Sequence, residues 1–115
     1  MATNDSTFSE RRRGERVLLR IPLKVHSVDP GGPHINEEAV AVVVSRYGAL
    51  IRLSAAPKVG ATLEVLNGFS QEVEKFRVVW ASAEMREGRH DIGVELIVKR
   101  ENFWGVRFPG PGRKA

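Results

Sequence analysis

Leu19, Ile21, Leu23 and Val25 alternate with Arg20, Pro22 and Lys24. Only an extended strand places every second side chain on one face, so this stretch is expected to be a half-buried β-strand. The same period of two recurs at Val40, Val42 and Val44, at Ala49, Ile51 and Leu53, and at Leu63 and Val65. It returns at Phe76, Val78 and Trp80, and finally at Ile92, Val94 and Leu96. Six strands are therefore expected. Composition agrees, since Val with Ile totals 20 residues against 8 Leu, and β-branched side chains suit a pleated surface better than a helix.

Turn-forming residues separate the six stretches. They are Asp29-Pro30-Gly31-Gly32-Pro33, Tyr47-Gly48, Pro57 to Gly60, Asn67-Gly68 and Glu87-Gly88. Short alternating strands at such spacing indicate an all-β fold, a small antiparallel barrel or sandwich. Pro22 has no N–H to give to a ladder, so the first strand is expected to be an edge or to carry a bulge. In this reading Trp80 continues the inward series of Phe76 and Val78. Residues 98–106 have room for a turn or two, in a short irregular C-terminal extension. Trp104 is expected to pack across the end of the fold, with a partner contact as the other possibility. Residues 1–9 and 107–115 are expected to be flexible ends around one domain spanning 10–106.

Several chemistries are not supported by the residues. There is no Cys, which excludes disulfide scaffolds and thiol catalysis. The three His (His26, His34 and His90) are scattered, with no i, i+4 pair and no carboxylate cluster at ligand spacing. No nucleophile elbow and no Walker or Rossmann glycine loop occurs. The expectation is a binding module with no enzymatic activity, no metal and no cofactor. No apolar run reaches the ~20 residues of a membrane span, and the N-terminal stretch lacks signal-peptide character, so the expected location is cytoplasmic.

The net charge is +4, and it is concentrated. Glu10 to His26 holds Arg11, Arg12, Arg13, Arg16, Arg20 and Lys24 against only Glu10 and Glu15. The remainder of the chain is balanced. That placement points to an anionic partner at this end: nucleic acid, nucleotide or lipid headgroup. Arg12 and Arg16 stand four apart just ahead of the first strand, with Gly14 between them. A guanidinium fork can grip a phosphate in two bonds or meet guanine O6 and N7.

A second element follows at Val43-Val44-Ser45-Arg46-Tyr47-Gly48. Together, Arg12-x-x-x-Arg16 and this segment resemble the two-part signature of the PilZ domain family, Arg-x-x-x-Arg followed by Asp/Asn-x-Ser-x-x-Gly. The resemblance extends from about Glu10 to Leu96. Phe76-Arg77-Val78-Val79-Trp80 is similar to the family's penultimate strand, and Asp91-Ile92-Gly93-Val94-Glu95-Leu96 to its closing strand. It implies a six-stranded antiparallel β-barrel that binds the bacterial second messenger cyclic di-GMP. The family's C-terminal helix has no counterpart in the sequence.

By that resemblance, Arg12 and Arg16 belong to an arm that folds over the ligand and meets its phosphates and guanine edges. Ser45 offers a hydroxyl on the barrel surface, and Gly48 lets backbone and ligand approach closely. Arg11 and Arg13 add to the local positive field. Val43 departs from the pattern, because it replaces the Asp or Asn that accepts from guanine, and Tyr47, Arg46 and Arg52 are the neighbouring side chains open to compensating for it. The implied function is a cyclic di-GMP receptor whose arm orders over the barrel and signals to a protein partner. Two other readings stay open: a degenerate PilZ adaptor that binds only protein, and nonspecific nucleic-acid binding through the arm, for which the chain offers few stacking aromatics.

Overall fold

A computed structural model describes residues 16–32 and 34–106 of the chain. Arg11, Arg12, Arg13 and both expected flexible ends lie outside the described residues. Six strands form: β1 (Arg16–Ser27), β2 (Asn36–Ser45), β3 (Gly48–Leu53), β4 (Thr62–Asn67), β5 (Val73–Arg86) and β6 (Arg89–Leu96). They make one antiparallel sheet in the order β1-β2-β3-β6-β5-β4, and β4 pairs back onto β1, so the sheet closes into a ring. The described residues contain no helix, and so none long and apolar enough to cross a membrane.

The alternation sets which side of each strand faces the interior. Ile21, Leu23 and Val25 of β1, Ile51 and Leu53 of β3, Leu63 and Val65 of β4, and Ile92, Val94 and Leu96 of β6 are all buried. Phe76 and Val78 of β5 join them. The β5–β6 hairpin turns at Glu87 and Gly88, both with positive φ (57° and 79°). That pair of left-handed residues matches the twist of a two-residue hairpin.

Closing only six strands demands strong curvature, and bulges supply it. Register shifts occur in β1 between Leu18 and Ile21, in β2 between Ala41 and Val43, and in β5 between Val78 and Trp80 and again between Ala81 and Met85. Two sequence expectations fail at these points. Trp80 is not core: the extra residue, Val79, puts the strand out of phase, and Trp80 stands 50% exposed. In β2 the buried residues are Ala41 and Val44, while Val40 and Val42 are only half-buried, because the bulge breaks the period between them.

The ring has no edge strand, and β1 instead carries the other expected feature, a bulge between Leu18 and Ile21 just ahead of Pro22. β4 pairs only with residues 23–27 of β1, so Pro22 sits just beyond that ladder. Its carbonyl still accepts from Gly68 N–H at 2.7 Å.

The segment after β6 closes one mouth of the ring. Phe103 and Trp104 are buried there. Their rings meet Phe76 at centroid distances of 5.5 and 5.7 Å and each other at 4.8 Å, in edge-on and tilted geometry, which aromatic quadrupoles favour. Asn67, the last residue of β4, is fully buried and holds the segment in place. Its Nδ2 donates to the Phe103 carbonyl at 3.0 Å, and its Oδ1 accepts from Phe69 N–H at 2.8 Å. Arg100 bridges to Glu72 and, at 2.9 Å, to Glu74. Trp104 thus packs into the fold, and the extension is an irregular turn.

Candidate functional site

Antiparallel pairing places directly opposed residues on the same face. Arg16 lies opposite Ser45 across β1 and β2, Ser45 opposite Gly48 across the β2–β3 turn, and Gly48 opposite Glu95 across β3 and β6. Arg77 of β5 completes the row opposite Glu95. Their chain neighbours Val44, Val94, Phe76 and Val78 are buried, so this row belongs to the outer surface. Three of the residues singled out in the sequence, Arg16, Ser45 and Gly48, therefore occupy one polar ledge. Arg11, Arg12 and Arg13 precede Arg16 in the chain and lie outside the described residues.

Gly48 is buried, and its lack of a side chain already answers a structural need. A Cβ there would stand 2.6 Å from the Val94 carbonyl oxygen and 3.5 Å from Ser45 Oγ. The close approach at this position is made by the backbone of β6. The Gly48 carbonyl in turn accepts the Trp104 indole N–H at 3.0 Å.

The turn between Ser45 and Gly48 is also tied down. Glu101 accepts from the Tyr47 hydroxyl at 2.6 Å and from Arg46 Nη1 at 3.2 Å. The Tyr47 hydrogen bond, then that from Arg46, hold the Glu101 carboxyl below the usual carboxylate range. Lys99 lies over the Tyr47 ring at 5.2 Å, a cation–π distance. Arg52 pairs with Asp91 at 3.1 Å. The three side chains open to compensating for Val43 are thus already engaged with other groups of the chain.

Directly beside the polar row runs an apolar one. Leu18 faces Val43, Val43 faces Leu50, Leu50 faces Gly93, and Gly93 faces Trp80. Leu18 is 80% exposed, and Val43 and Leu50 are partly so. Val43 is therefore one member of an outer apolar band. Trp80 lies against Gly93: a Cβ at Gly93 would touch Trp80 Cβ at 3.4 Å, ordinary van der Waals contact. Trp80 is the surface residue the sequence reading missed. Two signals were present: a third consecutive apolar residue at Val78-Val79-Trp80, and a glycine inside β6, a common mark of a bulge or close approach.

No model of a known protein family matches this chain, and neither does any curated protein.

Proposed function

We propose that the chain is a PilZ-like β-barrel acting as a cytoplasmic, bacterial receptor for cyclic di-GMP. The observation that supports this reading is the pairing of Arg16 with Ser45 and of Ser45 with Gly48. It brings residues from the two separate sequence elements onto one outer ledge. In this reading Arg16 takes one phosphate in a bidentate grip, and Ser45 offers its hydroxyl beside it. Arg12, with Arg11 and Arg13 adding to the field, closes over the second phosphate from the arm that enters β1. Ordering such a segment costs a few kcal/mol, so affinity is moderate and the arm is a switch that a protein partner can read.

Val43 gives the guanine an apolar floor in place of an acceptor. Losing one hydrogen bond of this kind costs ~1.5–3 kcal/mol, roughly ten- to hundredfold in affinity. Isothermal titration with cyclic di-GMP tests the reading. Heat saturating in the micromolar range supports it, and a folded protein giving no heat at high micromolar ligand overturns it.

The outer band of Leu18, Val43, Leu50 and Trp80 favours a second reading, a degenerate PilZ adaptor that binds protein without nucleotide. Its signature is a partner whose binding cyclic di-GMP does not change.

A further inference from the structure

Trp80 is held outward by a bulge, over a glycine, on a sheet face that continues into a cluster of arginines. Arg52 and Arg86 both turn to Asp91, at 3.1 and 3.6 Å. Arg89, opposite Arg86 across the hairpin, donates to the Arg52 carbonyl at 3.4 Å. Among the described residues, Asp91 is the one carboxylate that salt-bridges these arginines, and it does so with Arg52 and Arg86 but not Arg89. Arg86 is exposed over 67% of its side chain. Beside Trp80 lie Leu50, across Gly93, and Val79, itself exposed. A bulge that re-aims a large ring into water is a designed feature more often than a defect, and Trp with Arg are the residues that dominate binding hot spots.

The geometry points to this face, around Trp80 and the Arg52–Arg86–Arg89 cluster, as a docking surface for an acidic segment of a partner protein carrying a large apolar anchor. Charge complementarity selects that occupant. A second copy meeting the same face about a two-fold axis would set arginine against arginine. A nucleic-acid strand needs successive stacking rings, whereas here one indole sits among aliphatic side chains. The partner's anchor covers Trp80 and Leu50 while its carboxylates reach the arginines. This surface borders the proposed nucleotide ledge at Leu50, which pairs with Val43, and does not rest on the nucleotide reading.

The test uses the full chain and three fluorescein-labelled probes followed by anisotropy. They are a short Asp/Glu peptide with a central Leu-Phe pair, the same peptide with Ser-Ser at the centre, and an oligothymidylate. Acrylamide quenching of tryptophan fluorescence is read alongside, since Trp80 is exposed and Trp104 is buried. The expected result is salt-sensitive binding of the Leu-Phe peptide that shields Trp80 from acrylamide. That binding weakens on the order of tenfold or more with Ser-Ser, and equally in Arg86→Glu/Arg89→Glu and in Trp80→Ala. Equal binding of the two peptides, unchanged quenching, or indifference to charge reversal would overturn it. Tighter, arginine-dependent binding of the oligothymidylate would also overturn it, assigning the face to nucleic acid. Cyclic di-GMP titration of Arg86→Glu/Arg89→Glu reads the other site separately and is expected to match the unmodified protein.

Discussion

Arg16, the first residue of β1, lies directly opposite Ser45, the last residue of β2. Arg16 and the Ser-x-x-Gly turn therefore meet without either side chain having to cross the ring. Arg16→Ala is expected to weaken cyclic di-GMP binding roughly ten- to hundredfold, the worth of one charge-assisted bond. Lys24→Ala, farther along the same strand, is expected to leave it within about twofold. Titration calorimetry on the two variants decides, and equal effects would mean that only bulk charge matters.

Val43 sits between Leu18 and Leu50 on the outer face, where a polar side chain can reach water. Val43→Asp is expected to fold normally and to raise cyclic di-GMP affinity about tenfold by restoring an acceptor for guanine. A folded variant with unchanged affinity would separate this position from the ligand.

Gly48 is predicted to matter for folding in its own right. Gly48→Ala drives a methyl group to 2.6 Å from the Val94 carbonyl, and relieving that overlap shifts β3 against β6. The expected cost is about 1–3 kcal/mol, visible as a lower urea midpoint with no ligand present. Stability equal to that of the unmodified protein would show that the two strands separate freely here.

The Glu101 carboxyl is held low by Tyr47 and Arg46. A depressed carboxyl stabilises the fold above its unfolded pKa, and that stabilisation is lost as pH falls through the folded value. The thermal midpoint of Glu101→Gln is thus expected to lie below that of the unmodified protein at neutral pH. The gap should close on acidification below the carboxylate range. A gap that persists in acid would assign the difference to packing.

Asn67 joins β4 to the closing segment through the Phe103 carbonyl. Asn67→Ala leaves that buried carbonyl without this donor and Phe69 N–H without its acceptor, which costs about 1–3 kcal/mol each when unrelieved. Urea denaturation is expected to show a reduced midpoint at unchanged slope.

The number of strands and most of the inward residues were legible in the sequence alone. Period-two alternation is a local property, and Ile21, Leu23, Val25, Ile51, Leu53, Ile92 and Val94 obey it in the folded chain. It also carried Arg16, Ser45 and Gly48 as residues of interest, although not their meeting on one ledge. Pairing partners were beyond its reach, because which strand lies beside which depends on contacts far apart in the chain. The bulges were hidden for the same reason: an extra residue on one strand has meaning only against the strand it faces. Trp80, Val40 and Val42 were misplaced because closing six strands requires bulges, and the single extra residues in β2 (41–43) and β5 (78–80) reverse the faces of their strands. Only the tertiary structure could turn the indole outward, set it over Gly93, and hand the Gly48 carbonyl to the buried Trp104.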